Sequence, residues 1–315
     1  MDTKTKDDAD EVIDIRSLLD ERIFLPHNIQ EDGIIRLIVD DYLEHGLDVV
    51  EDADTEKMNR GLGYLHSTVY DLNKGLLGTC YGGHLELVQL MMSRGADYLN
   101  LGLREACRGG HMSCVELMIS KGASDWDWGL GGACMGGHLE LAELMISKGA
   151  DDLNQGLQEA CESGHLKLVE LMISKGADDL NGGLFRACES GHLKLAELMI
   201  SKGARNYDGG LYSACTGGHL ELAELMISKG ADDWNFGFIL ACSNGHIELV
   251  KLLGCKGATD WTGGLRAAVC KKGYIEIVQF IITSKHVSKH DIQRCLLEID
   301  MNNKDIITYL KSQLD

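Results

Sequence analysis

The chain has 315 residues, with 30 Lys and Arg against 49 Asp and Glu, a formal charge of −19, and 38 glycines against one proline. Hydrophobic residues make up 44% and charged residues 25%, which excludes wholesale disorder. The acidity argues against a nucleic-acid phosphate backbone as partner, because like charges repel.

Residues 1–60 hold 18 acidic and 7 basic residues, so much of the charge is concentrated at the front. Residues 1–11 read as a disordered acidic tail. The opening MDTKTKDDADEV, residues 1–12, lacks the basic-then-apolar pattern of a signal peptide. No apolar run approaches the roughly 18 residues of a membrane span. The expectation is a protein that is neither secreted nor membrane-bound, and is cytoplasmic or nuclear. Residues 12–60 read as a helical piece. Its single proline, Pro26, stands just before the apolar run Gly33 to Leu43, where helix-start chemistry favours proline. Residues 61–74 read as one helix linking this piece to the remainder of the chain.

From residue 75 the chain repeats. Cys80, Cys107, Cys134, Cys161, Cys188, Cys215 and Cys242 stand 27 residues apart each time. Seven units run without insertion, beginning at Gly75 and ending at Gly263. An eighth, 264–290, has an extra residue near Val269-Cys270 and carries Tyr274 where the others have His. Residues 291–315 keep helical periodicity without the repeat marks, as a terminal cap does. Within one unit, Leu139, Leu141, Ala142, Leu144, Met145 and Ile146 fall on one helical face, with Glu140, Glu143 and Lys148 outside. Gly149 stops that helix. Gly137-His138 forms a turn, and Leu130 to Cys134 a shorter helix before it. Each unit is then a pair of antiparallel helices that buries its apolar side only by stacking.

These marks resemble the ankyrin repeat. Gly156-Leu157 through Ala160-Cys161 stand where that family has T-P-L-H-x-A-A. Gly164-His165-Leu166-Lys167-Leu168-Val169 and Gly176-Ala177-Asp178-Asp179-Leu180-Asn181 match G-H-L-E-V-V and G-A-D-V-N. The family unit is about 33 residues. Here the gap falls on the family's β-hairpin finger, and the Pro of T-P-L-H is absent throughout. The resemblance implies an all-α ankyrin-type solenoid of stacked helix–turn–helix repeats without fingers, binding a protein partner as a monomer. Short, proline-free units also resemble ankyrin proteins of large DNA viruses of amoebae. That implies a host protein as partner and the host cytoplasm or nucleus as location.

Three ladders recur with the repeat. The cysteines occupy a small buried position, and helix spacings of about 8–10 Å keep neighbouring rungs from forming disulfides. His84, His111, His138, His165, His192, His219 and His246 are too far apart to share a metal and read as turn-stabilising groups. Leu99, Trp126, Leu153, Leu180, Tyr207, Trp234 and Trp261 read as core, the larger rings lying near the loop edge. No metal and no cofactor is implied. No nucleotide, hydrolase or metalloprotease motif occurs in a fitting context, and near-identical stacked units do not build the single asymmetric site that catalysis needs. The chain therefore reads as a binding protein and not as an enzyme.

Binding residues should be those that break the consensus. The position expected just before the first helix varies as Leu101, Trp128, Gln155, Gly182, Gly209 and Phe236. The pair after Gly-Leu varies as Arg104-Glu105, Gly131-Gly132, Gln158-Glu159, Phe185-Arg186, Tyr212-Ser213 and Ile239-Leu240. By family analogy these face the concave side. Leu101, Arg104, Trp128, Gln155, Gln158, Phe185, Arg186, Tyr212, Phe236 and Ile239 are the candidate groove. Aromatic residues and Arg carry most interface energy, so Trp128, Phe185, Tyr212 and Phe236 are the candidate anchors. The competing reading is that these side chains pack on the next repeat.

Residues 12–60 admit three readings. One is a capping helix pair, since Gly33-Ile34-Ile35 through His45-Gly46 loosely mimics a repeat. A second rests on Leu25, Pro26, Ile29, Ile34, Ile35, Ile38, Tyr42 and Leu43, which resemble a degenerate F-box with its L-P-x-x-I opening. A third is a shortened BTB or Skp-type piece, on Ile15-Arg16-Ser17-Leu18-Leu19. The last two imply a Skp-type adaptor or another cullin-ligase component as partner, the array choosing the target. The first implies a stand-alone array that sequesters a host protein.

Overall fold

A computed structural model describes residues 65–270, 274–298 and 303–314. The readings of residues 1–60 lie outside the described residues. Eighteen helices and no strands occur among the described residues. The chain divides into two compact units, Met1–Asp151 and Asp152–Asp315.

The first unit contains α1 (Leu65–Gly82), α2 (Leu85–Ser93), α3 (Leu99–Gly109), α4 (Met112–Ser120), α5 (Trp126–Gly136) and α6 (Leu139–Lys148). The first helices of successive pairs, α1, α3 and α5, pack side by side, and each packs on its own second helix. From Leu65 on, the linking helix expected over 61–74 and the first helix of the array form one continuous element, α1, which runs through Gly75.

The second unit contains α7 (Leu153–Glu162), α8 (Leu166–Lys175), α9 (Leu180–Glu189), α10 (Leu193–Lys202), α11 (Tyr207–Gly217), α12 (Leu220–Lys229), α13 (Trp234–Asn244), α14 (Ile247–Lys256), α15 (Trp261–Cys270) and α16 (Ile275–Thr283), then α17 (Lys289–Glu298) and α18 (Lys304–Ser312). Again the first helices, α7, α9, α11, α13 and α15, stack in order. This is the all-α helix-pair array that the periodicity predicts.

The first helix of each pair differs from expectation. The apolar spacing predicts Leu130 to Cys134 as the shorter helix of its pair, yet α5 has 11 residues against 10 in α6. The reason is a capping group further upstream. Asp125 accepts from the Trp128 N–H at 3.1 Å, and Asp152, Asp179, Asn206, Asp233 and Asp260 do the same for their helices. Trp126 and its counterparts are therefore the first helical residues. Trp128 and its counterparts sit inside the first turn and not ahead of it.

Both turns of a pair use left-handed glycines, with φ of 84° at Gly137 and 115° at Gly149. A side chain at either would be strained. Recurring in pair after pair, these turns account for many of the 38 glycines.

Another glycine serves packing. A methyl group at Gly210 would lie 2.5 Å from Met226 Sδ and 3.6 Å from Cys188 Sγ. Gly183 is held in the same way by Met199 and Cys161. The repeating Gly, Met and Cys thus form one contact, in which the Met of a pair lies over its own Gly and the Cys of the preceding pair closes the other side. Leu157, Leu184 and Leu211 beside it are 0% exposed.

With no hairpin between pairs, a polar side chain joins them. Asn154 accepts from the backbone N–H groups of Asp178 and Asp179, both at 2.9 Å. Asn181 holds Arg205 and Asn206, Asp208 holds Asp232 and Asp233, and Asn235 holds Thr259 and Asp260. In the first unit Asn73, Asn100 and Asp127 act alike. Replacing Asn235 by Ala leaves two N–H groups without their acceptor and should cost about 1–3 kcal/mol. Asn235→Asp, which copies Asp208, should cost much less. Equal losses in urea titrations of the two variants would refute this role.

Candidate functional site

The first-helix row is built by helical spacing. Residues three apart on these helices share a face, so Leu101 and Arg104, Gln155 and Gln158, and Phe236 and Ile239 pair along one side.

In the first unit Leu101 and Arg104 are half-buried on α3, and Arg104 Nη2 reaches Met135 Sδ at 3.6 Å. Trp128 on α5 is 47% exposed. Three and four residues on, Gly131 and Gly132 carry no side chain beside it. Gly132 must be glycine, because a methyl group there would meet the Arg104 carbonyl of α3.

In the second unit the row interlocks from pair to pair. Gln158 donates through Nε2 to Asp179 Oδ2 at 2.7 Å. Phe185 lies across Gly209, where a methyl group would strike its ring. Tyr212 packs edge-on against Phe236, with ring centroids 4.7 Å apart, and its hydroxyl donates to Asp233 Oδ2. Burial, the bond to Asp233 and the neighbouring Asp208 and Asp232 push the Tyr212 hydroxyl above its ordinary range. It stays a donor at physiological pH. Phe236 keeps 47% exposure. Ile239 is half-buried.

The packing reading therefore holds for Phe185, Gln158 and in part Tyr212. Trp128 and Phe236 are the open aromatic side chains of the row. Gln155 is exposed and donates to Glu159 at 2.6 Å. Arg186 pairs with Glu162 at 3.4 Å and Glu189 at 3.8 Å, and these side chains are about half exposed. Such pairs add little stability.

The ladders have assigned roles. His138, His192, His219 and His246 each place Nε2 3.0–3.2 Å from a backbone carbonyl 30 residues earlier, at Arg108, Glu162, Glu189 and Thr216. The bond links neighbouring pairs and is not confined to one turn. The seven ladder cysteines are buried thiols. Burial pushes Cys107, Cys161, Cys188 and Cys215 up to about 12. Trp126 and Trp234 are half-buried, while Trp261 is 8% exposed under Phe238 and His286. No group of three His, Cys, Asp or Glu side chains among the described residues could hold a metal ion. Among the described residues no helix is long and apolar enough to cross a membrane.

One variable position escaped the sequence reading. The residue after each ladder cysteine runs Tyr81, Arg108, Met135, Glu162, Glu189, Thr216 and Ser243. Its variation is as free as that of the first-helix row and was the available signal.

The family model of ankyrin repeats, three copies long, matches residues 157–236 and 184–262. Among solved structures the chain is similar to the human ASB11 ankyrin repeat domain, at 20% identity over 50% of this chain and 84% of that one, with a TM-score of 0.39. No curated protein matches. Among the described residues the chain is an all-α array of helix pairs, and its residues 157–262 match the ankyrin-repeat model.

Proposed function

We propose that this array holds a protein partner through its first helices, with Trp128 of the first unit and Phe236 of the second as anchors, Tyr212 packing beside Phe236 and Phe185 lying across Gly209. Ankyrin repeats mark a protein–protein interaction scaffold. The observation that carries the assignment is the 47% exposure of both Trp128 and Phe236 at equivalent positions of otherwise near-identical units. A large ring left in water costs solvation free energy, and burial against a partner recovers it. Asp208, Asp232 and Asp233 beside Tyr212 favour basic side chains on that partner. Converting Trp128, Phe185, Tyr212 and Phe236 together to Ala should reduce partner capture about a hundredfold or more. Helical circular dichroism should persist. Undiminished capture by the folded variant would remove the row from the assignment.

The short units support a viral protein acting on a host partner. Leu25, Pro26 and Ile29 support a second contact, through which the captured protein is presented to a Skp-type adaptor of a cullin ligase. The test is direct binding of the full chain to purified Skp-type adaptor. Loss of binding in Leu25→Asp/Ile29→Asp supports the adaptor reading, and no binding by the unaltered chain supports a stand-alone array capped by residues 12–60.

A further inference from the structure

A pocket of about 490 Å³ opens in the first unit where the first helices end, away from Trp128. Tyr81, Arg108, His111, Met135 and His138 line it. No carboxylate is among the lining residues, in a chain with 49 acidic residues against 30 basic ones.

The pocket is made by three departures from the repeat. Tyr81, Arg108 and Met135 occupy equivalent positions, 27 residues apart, at which the later units carry Glu162, Glu189 and Thr216. Arg108 extends over the Tyr81 ring, with Cζ 5.7 Å from its centroid. Its own carbonyl sits 3.2 Å from His138 Nε2, which fixes the end of α3. On the inner side Glu105, 6% exposed, approaches Arg108 Nη1 at 3.8 Å. A guanidinium has five N–H donors in a planar fork, so this contact leaves donors for a second carboxylate. The guanidinium stands over the Tyr81 ring, and Met135 also lines the pocket.

We propose that this pocket takes a carboxylate side chain, Asp or Glu, from an acidic segment of a protein partner. Arg108 is its counter-charge, and the Tyr81 and Met135 surfaces pack the aliphatic stem. Charge complementarity selects the occupant: Arg108 brings a guanidinium to the open side of the pocket, while its one carboxylate contact, Glu105, lies buried on the inner side and outside the lining. The site meets the first-helix row at Arg104, which reaches Met135 Sδ, but stands apart from Trp128 and does not depend on the proposed anchors.

The test uses the isotope-labelled full chain, with hexaglutamate peptide, inorganic phosphate and hexalysine peptide as separate probes. Hexaglutamate should shift the Gly109 and Gly136 amide signals saturably, and less so as salt rises. Arg108→Glu should weaken that binding at least about tenfold. This variant copies Glu162 and Glu189, so the repeat accommodates it, and Met135→Glu provides a second reading. A Trp128→Ala chain should bind hexaglutamate as before, which separates this site from the proposed anchors. Absence of saturable shifts, equal binding by Arg108→Glu, or binding of phosphate or hexalysine in preference to hexaglutamate would each overturn the proposal.

Discussion

Raising the pH above 9 should unfold this protein steeply. Cys107, Cys161, Cys188 and Cys215 are raised from 9.0 to about 12 by burial. Unfolded, the same thiols release their protons near pH 9. Between these values the unfolded chain binds fewer protons than the folded one, so stability falls as pH rises. Each thiol contributes about 1.4 kcal/mol per pH unit. Four together reach about 5 kcal/mol by pH 10, comparable to the whole stability of many domains. Urea titrations from pH 8 to pH 10.5 measure this slope. Replacing the four by Ala should flatten it, even if it lowers stability at pH 7 by removing sulfur volume. An unchanged slope in a folded variant would show that the thiols do not govern alkaline unfolding.

Gly210→Ala should destabilise the second unit by about 2 kcal/mol through overpacking. The added methyl group would stand 2.5 Å from Met226 Sδ. The molecule contains its own control, because in the next pair Leu253 replaces Met and lies 3.4 Å from the equivalent point at Gly237, an ordinary contact. Met226→Leu should therefore recover most of the loss from Gly210→Ala. A double-mutant cycle measures the coupling, expected at about 1 kcal/mol or more. Strict additivity of the two changes would mean that Gly210 is required for something other than room for Met226.

Both effects spring from the same contact. The first helix lies so close to its second helix that only glycine fits between them, and the gap beyond is filled by a thiol of the preceding pair. The small residues bring the helices together, and that proximity keeps water away from the sulfur.

The sequence by itself determined the helix pairs, their order and their 27-residue period, because burial and turn chemistry are local properties repeated seven times. Leu139 to Ile146 shows its buried face without any structure, and Gly149 shows its stop. The same reasoning recognises the cysteines as core. It also separates the varying first-helix positions from the constant ones, and so finds Trp128 and Phe236.

Only the tertiary structure decided what those positions touch. Phe185 and Tyr212 look equivalent to Trp128 as consensus breakers, yet Phe185 lies over Gly209, 24 residues on, and Tyr212 bonds Asp233, 21 residues on. Asn154 and its counterparts look like loop punctuation, but they carry the links between pairs. The first helices start earlier than their apolar residues suggest, because the capping Asp or Asn needs only an N–H three residues ahead. Arg108 and Tyr81, 27 residues apart in the chain, become one recess only when α1 and α3 stack. Apart from the caps, which are local, the partner comes from the neighbouring pair, and the distance between pairs is set by how glycine, methionine and cysteine pack in three dimensions.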